Sequence, residues 1–370
     1  MASKGRRLPA AVYSLSLCVL ALLLRLAPLG RYVTPDEPAW VYRSAHFADA
    51  VVARDWATIP ATGQPGVTTM WLGAAGIWAR RLLVPAESAA HLEWIRQSAW
   101  LAPENGEAFR HLAFFLPLGR VAVALLTSLA LLAVYALTGR LFGRRAAFIA
   151  MGLLACEPFL VGHSGLLHTD ALLATFCLLT LLTALNGLHG ERPVLWSAFS
   201  GCCAGLALLT KTPAVVLLAF LPALWAGAAC GIGRPAPLGL GRAVLCGLVF
   251  LVAAALTLFA LYPALWGNPL TVAQTLQGFA GRHMESVQRP LFFLGRARYD
   301  PGAAFYPLVY LFRASPVVLA GLVWGLLRLR RMPAERRFAL TALVAFAPVS
   351  YTHLRAHETP EHLVCRLLLE

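Results

Sequence analysis

Two adjacent carboxylates stand at the exit of the first long apolar run of the chain. The segment TPDEPAW places Asp36 and Glu37 between two prolines, directly after that run. A carboxylate that a neighbouring group holds ionised and oriented can act as a general base. The alternative is structural: Asp36 or Thr34 caps the following helix, and the neighbouring acid is solvated. The residues alone leave both interpretations open.

A second group of ionisable side chains occupies the segment EPFLVGHSGLLHTDALL. It contains Glu157, His163, His168 and Asp170, in a short link between two apolar runs. Ionisable groups at membrane depth are costly and therefore indicate function by default. Their spacing does not match a zinc motif such as HExxH, so it gives no support for metal binding. Asp170 can instead cap the next helix.

A lone lysine interrupts the apolar segment LALLTKTPAVVLL. Lys4 and Lys211 are the lysines of a chain whose other basic residues are arginines. The ammonium of Lys211 can act as a point charge towards a phosphate. The alternative is that its side chain snorkels to the membrane interface.

Basic and aromatic residues alternate between Tyr262 and Tyr306. Guanidinium groups match phosphate oxygens, and aromatic faces suit sugar rings, although unspecific contact with anionic headgroups is an alternative. The basic residues of this segment are Arg282, His283, Arg289, Arg296 and Arg298.

The composition predicts the elements that must position these groups. Of 370 residues, 59% are hydrophobic and 13% charged, which is typical of a polytopic membrane protein rather than a soluble one. The formal charge of +14 comes from arginine clusters between apolar runs, a pattern that favours membrane orientation over nucleic-acid binding. An all-α bundle of about 8–9 transmembrane helices is predicted. The runs lie near 9–29, 112–138, 146–162, 169–187, 195–210, 213–230, 242–262 and 305–327, and a ninth starts at Phe338.

The arginine clusters also predict which polar segments share a face. If they lie in the cytoplasm, two outer loops follow, at about 30–111 and 263–304, and all four polar groups face outwards. The first outer loop should contain two amphipathic helices, around Trp40 and around Trp71. We expect their aromatic faces to lie among lipid headgroups.

Two further features bound the organisation of the chain. Most cysteines lie inside apolar runs without a CxxC pair, so neither a disulfide framework nor a zinc site is predicted. The first run is interpreted as a retained helix rather than a cleaved signal peptide. We expect one catalytic domain over 1–349, truncated at its end, and a non-native tail over 350–370.

Five segments together resemble the bacterial phospholipid-carrier-dependent glycosyltransferases of the GT-C class, relatives of the protein O-mannosyltransferases and the aminoarabinose transferase. They are TPDEPAW, PGVTTMW, EPFLVGHSGLLHTDALLATF, LALLTKTPA and FFLGRARYDPGAAFYPLVYLFR, and they occur in the same order. Two positions depart from the family pattern: Gln64 stands where His is usual, and Gly165 where Arg is frequent.

The resemblance implies an inverting glycosyl transfer. Asp36, with Glu37 beside it, would act as the base on an acceptor hydroxyl. The sugar donor would be linked to a polyprenyl phosphate, which Lys211, His168, Asp170, His163, Arg296 and Arg298 would bind. No cofactor is certain; a divalent ion held by Asp36, Glu37 or Asp170 is an option that some GT-C relatives use.

The resemblance also implies the setting of the reaction. The sugar would be a hexose or pentose, and the acceptor an exoplasmic protein, glycan or lipid. The enzyme would lie in a bacterial cytoplasmic membrane with its site on the outer face and without nucleic-acid partners. The alternative functions are a transporter or flippase of a lipid-linked polar solute and a catalytically silent relative. A transporter should carry ionisable groups near mid-membrane, whereas the polar groups here lie at helix ends.

Overall fold

The computed structural model is almost entirely helical. It describes residues 10–97, 107–233, 237–286, 291–299, 302 and 304–355. The two short strands, β1 (Leu291–Phe293) and β2 (Arg296–Arg298), form an antiparallel hairpin in which Phe292 pairs with Ala297. The helices are α1 (Ala10–Leu26), α2 (Glu37–Ala53), α3 (Val67–Leu83), α4 (Pro85–Gln97), α5 (Ala108–Phe142), α6 (Arg144–Cys156), α7 (Pro158–Ser164), α8 (Asp170–His189), α9 (Pro193–Thr210), α10 (Val216–Ala229), α11 (Leu240–Leu261), α12 (Ala264–Gly267), α13 (Pro269–Ser286), α14 (Phe305–Arg313), α15 (Pro316–Arg328) and α16 (Ala334–Arg355).

The all-helical membrane fold is confirmed, whereas the predicted number of spans is not. Within the described residues, five helices are long and apolar enough to cross a membrane, or six if α6 and α7 form one span bent by 62°. The five are α5, α8, α9, α11 and the continuous segment Thr212–Ala229.

The prediction of one continuous run over 305–327 is wrong. The helix breaks between α14 and α15, where Ser315 adopts an extended conformation. Its hydroxyl accepts a hydrogen bond from the Val318 amide at 3.4 Å. Pro316 follows as the first residue of α15, a position that suits proline because its missing N–H would have no partner there.

Helix α9 is held against α11 by a close approach of the two backbones. A Cβ added to Gly201 would lie 2.3 Å from the Phe250 carbonyl oxygen, and one added to Gly205 would lie 2.6 Å from Thr257 Cβ. Small residues four apart allow membrane helices to approach in this way. This packing fixes the end of α9, which carries Lys211.

The two helices predicted in the first outer loop are present as α2 and α3, but their packing differs from the prediction. Trp40, Phe47, Met70 and Ile77 are buried in the protein core rather than turned to lipid headgroups. A Cβ on Gly76 of α3 would lie 2.5 Å from the backbone nitrogen of Gly119 in α5. The segment that contains α2 and α3 is therefore a packed layer on α5, and it can position the residues at the start of α2.

Candidate active site

Three helix ends meet at one place and bring four of the predicted site residues together. Asp36 precedes α2, His168 and Asp170 lie where α8 begins, and Lys211 follows α9. The Nε2 of His168 lies 3.0 Å from Oδ2 of Asp36, and its Nδ1 lies 3.4 Å from Oδ2 of Asp170. Lys211 Nζ donates a hydrogen bond to Oδ1 of Asp170 at 2.8 Å. We call Asp36, His168, Asp170 and Lys211 the charged row.

His168 is buried between the two carboxylates of the charged row. Burial opposes its charged form, but Asp170 and Asp36 outweigh burial and the nearby Lys211 charge, so they raise the pKa of His168 to about 9. The Asp170 amide also lies 3.4 Å from Nδ1 and could donate to a neutral ring. Because carboxylates flank the ring on both sides, we favour the imidazolium, whose two N–H groups point to Asp36 and Asp170. The charges then alternate along the row.

Lys211 does not snorkel to the interface, because its side chain is only 6% exposed. Thr210, the residue before Lys211, forms hydrogen bonds with the turn before α3 and with the first turn of α3. The Gly66 amide donates to the Thr210 carbonyl at 3.1 Å, and the Thr68 and Thr210 hydroxyls are hydrogen-bonded at 2.7 Å. Gly66 has a φ of +60°, and a Cβ there would meet the Trp40 ring at 2.1 Å. The PGVTT motif thus positions the lysine segment through one backbone hydrogen bond and one pair of hydroxyls, and its turn requires glycine at position 66.

Glu37, although adjacent to Asp36, lies in a different environment. It is fully buried, and Arg120 of α5 donates to its two carboxylate oxygens at 2.7 and 2.6 Å. The Thr34 amide and hydroxyl donate to Oε2 at 2.9 Å each, and the Leu167 amide donates to Oε1 at 3.0 Å. These five hydrogen bonds join the start of α2 to α5 and to the link before α8.

Arg120 is the residue that the sequence interpretation missed. Its side chain is 2% exposed, and it also donates to the Tyr32 carbonyl at 2.7 Å. The signal was present, because LPLGRVAVALL places an arginine inside an apolar run, as LALLTKTPA does for Lys211. The rule that ionisable groups within apolar spans indicate function applies equally to both.

Neither Asp36 nor Asp170 caps a helix with its side chain, contrary to the alternatives that the sequence left open. Asp36 occupies the N-cap position of α2 but forms no side-chain cap bond, and Thr34 donates to Glu37 instead. Asp170 is the first residue of α8 rather than its cap, and its carboxylate faces Lys211. Glu157 is the acid that does cap a helix, since its Oε2 accepts from the Leu160 amide of α7 at 2.7 Å.

The remaining predicted donor-binding residues lie on other elements, α7 and the hairpin. His163 is on α7, with its ring 4.4 Å from that of Phe159. Arg296 and Arg298 are exposed on the hairpin, and neither forms an ion pair with a residue that the structure describes. Arg289 and the side chains of Arg282 and His283 lie outside the described residues.

The three candidate carboxylates do not form a shared metal site. Glu37 faces Arg120, and Asp170 faces Lys211 and His168. Among the residues with a described position, no group of three or more His, Cys, Asp or Glu side chains is placed to hold an ion. The residues present therefore do not fit a divalent ion shared by Asp36, Glu37 and Asp170.

Comparison with known proteins finds a family model that matches the part of the chain containing most of this site. Residues 118–255 match the model of the dolichyl-phosphate-mannose-protein mannosyltransferase family. The matched stretch contains Arg120, His168, Asp170 and Lys211, but not the acid pair. None of the curated proteins compared matches the chain.

A solved structure is also similar to this chain. It is the archaeal oligosaccharyltransferase AglB from Archaeoglobus fulgidus, in complex with an inhibitory peptide and a dolichol-phosphate. The sequences are 19% identical, the TM-score is 0.42, and the similarity covers 90% of this chain and 39% of that one. The chain thus spans about two fifths of that structure. Through the match over 118–255, the resemblance to GT-C glycosyltransferases that the motifs indicated is confirmed.

Proposed function

We propose that this chain is an integral membrane glycosyltransferase that moves a sugar from a polyprenyl-phosphate carrier to an acceptor hydroxyl. The observation that carries the proposal is the charged row. It places a partly exposed carboxylate, Asp36, at one end and a lysine, within the matched family stretch, at the other. A base for the acceptor and a cation for the leaving phosphate are the two groups that such a transfer needs.

In the proposed reaction, Asp36 takes the proton of the acceptor hydroxyl while the hydroxyl oxygen attacks the anomeric carbon. A new carbon–oxygen bond forms to the acceptor, and the bond from the anomeric carbon to the phosphate oxygen breaks. The electron pair of that bond leaves with the polyprenyl phosphate. Attack opposite the leaving group inverts the anomeric centre. Glu37 does not take the proton in this scheme, because Arg120 and three further donors occupy its oxygens.

The leaving phosphate gains negative charge, so a fixed cation stabilises it more than it stabilises the intact donor. Lys211 is the cation in this proposal, because its position is fixed by Asp170 and by the hydrogen-bonded Thr210. Asp170 would hold the ammonium, and His163 lies on the neighbouring α7. Arg296 and Arg298, exposed on the hairpin, are proposed to meet the donor from the loop side.

The setting follows the charge pattern of the sequence. The charged row would face the outer side of a bacterial cytoplasmic membrane, opposite the arginine clusters, and the acceptor would be an exoplasmic protein, glycan or lipid. The transferred group would be a hexose or pentose. A lipid-phosphate donor removes the need for a nucleotide sugar on that side.

The experiment is donor binding followed by transfer. Native mass spectrometry of the detergent-purified protein should show bound polyprenyl phosphate, and Lys211→Ala should weaken this binding about tenfold or more, the order of a charge-assisted hydrogen bond. Arg96→Ala is the matched control, because it removes an exposed cation that pairs with Asp49 away from the row. Radiolabelled polyprenyl-phosphate sugars then test transfer.

Three outcomes separate the functions. Binding with transfer supports the enzyme. Binding that persists without transfer to any hydroxyl acceptor, together with movement of the lipid across vesicles, would favour the transporter. Binding no tighter than that of ordinary phospholipids would overturn the proposal.

A further inference from the structure

His168 directs its two ring nitrogens at two different carboxylates. Nε2 faces Asp36 at 3.0 Å, and Nδ1 faces Asp170 at 3.4 Å. The edge of the ring meets the Trp40 ring, with centroids 6.4 Å apart, and the residue is 8% exposed. The imidazole is thus an internal connection between two elements, α8 and the start of α2.

This geometry changes the role predicted from the sequence. An imidazolium has two N–H donors, and both point to protein carboxylates here, so neither is directed at a substrate phosphate. Lys211, by contrast, has three ammonium donors, of which one binds Asp170. If the proposed transfer is correct, we infer that His168 is a positioning residue, which holds Asp36 in line with the Asp170–Lys211 pair instead of binding the donor.

A planar ring is well suited to this connection. Asp36 lies at the start of α2 and Lys211 at the end of α9, and the contacts of His168 and Asp170 connect the two. Because the ring contacts both carboxylates, the position of Asp36 depends on that of Asp170, which Lys211 fixes. Misplacement of a reacting group by about 1 Å can lower a rate by about a hundredfold.

Two amide variants test which contact matters. The terminal amide of Gln can replace the N–H at Nε2, whereas the shorter Asn can replace the one at Nδ1. We expect His168→Ala and His168→Asn to lower kcat by about a hundredfold, and His168→Gln, which keeps a donor towards Asp36, to recover a substantial part. The donor dissociation constant should stay within about threefold in all three variants. His189→Gln is the matched control, because His189 lies at the other end of α8 and contacts its own helix at the Leu185 carbonyl.

An effect on donor binding rather than on kcat would overturn the inference. If the His168 variants weaken polyprenyl-phosphate binding as much as Lys211→Ala, with kcat unchanged at saturating donor, His168 binds the donor. Equal loss of kcat in the Gln and Asn variants would also contradict it, since the Asp36 contact would then have no special importance.

A second measurement needs neither donor nor turnover. A double-mutant cycle on thermal unfolding combines His168→Gln and His168→Ala with Asp36→Asn. Contacting residues are non-additive, so the effect of Ala relative to Gln should change by at least about threefold in the unfolding equilibrium when Asp36 is replaced. Additive effects would overturn the contact itself. If the wild-type protein transfers no sugar while the cycle shows coupling, the proposed function fails and the contact stands.

Discussion

Asp36 and Glu37 are neighbours in the sequence, yet the fold gives them opposite environments. Glu37 is fully buried and accepts five hydrogen bonds, two of them from a buried arginine. The side chain of Asp36 is 21% exposed, and its Oδ2 lies 3.0 Å from Nε2 of His168. One carboxylate is enclosed by hydrogen-bond donors, whereas the other keeps about a fifth of its side chain exposed.

The difference in burial shows how two adjacent carboxylates can have different roles. A buried carboxylate whose oxygens are all engaged stabilises the arrangement of three elements, but it has no lone pair free for a proton. A partly exposed one can take a proton, provided that something else holds it in place. In the proposed mechanism, the environment of each carboxylate rather than its residue type determines its role, as in other sites with paired carboxylates.

The largest expected effect is that of Asp36→Asn on turnover. Loss of a general base lowers the rate by about 10²–10⁴-fold, while the similar shape of Asn leaves the fold and donor binding nearly unchanged. The measurement is transfer from a polyprenyl-phosphate sugar, with native mass spectrometry of the bound carrier as the control. Turnover at the wild-type rate would remove Asp36 from the mechanism.

Glu37→Gln should act on stability instead. Removing one partner of a buried ion pair leaves Arg120 uncompensated, which costs about 3–5 kcal/mol of unfolding free energy. Thermal unfolding in detergent measures it. If the single variant does not fold, Glu37→Gln with Arg120→Gln provides the comparison, because removing both charges should restore much of the stability. A single variant as stable as the wild type would mean that the pair does not hold the fold.

The sequence predicted the ends of the charged row but not its order. Asp36, Asp170 and Lys211 each stand out as polar residues beside apolar runs, and a rule based on local context finds them. That His168 lies between two acids depends on contacts between residues 132 positions apart, which no local pattern encodes. The same limit explains why Arg120 was missed as the partner of Glu37, 83 positions away.

The fold shows a similar division. Length and apolarity predicted α5, α8, α9 and α11, because the thickness of the hydrocarbon core sets the length of a spanning helix. Packing decided what length could not. The aromatic faces of α2 and α3 are equally compatible with lipid headgroups and with a protein core. Their contact with α5 shows that they are buried in the core.

The stability of the protein should depend on pH through His168 of the charged row. Because the pKa of His168 is raised to about 9, the folded state binds its proton more tightly than the unfolded state, whose pKa is near 6.5. The stabilisation is complete below about pH 6.5 and is lost as the pH rises towards about 9. Melting temperatures of the wild type and His168→Gln should therefore converge over this interval. A constant difference would indicate that His168 does not carry the charge.

The smallest effect is expected at a pair that copies the geometry of Glu37 and Arg120 without the burial. Arg96 donates to both oxygens of Asp49 at 2.8 Å each, but the two side chains are 42% and 33% exposed. Exposed pairs contribute about 0–1 kcal/mol, since water screens the attraction and solvates either partner left alone. Asp49→Asn should therefore change the unfolding free energy by less than about 1 kcal/mol, measured as for Glu37→Gln. Two bidentate pairs whose hydrogen bonds differ in length by no more than 0.2 Å would then differ severalfold in the cost of losing the acid, which assigns the cost to desolvation of the remaining arginine. Equal losses at the two sites would assign it to hydrogen-bond geometry instead.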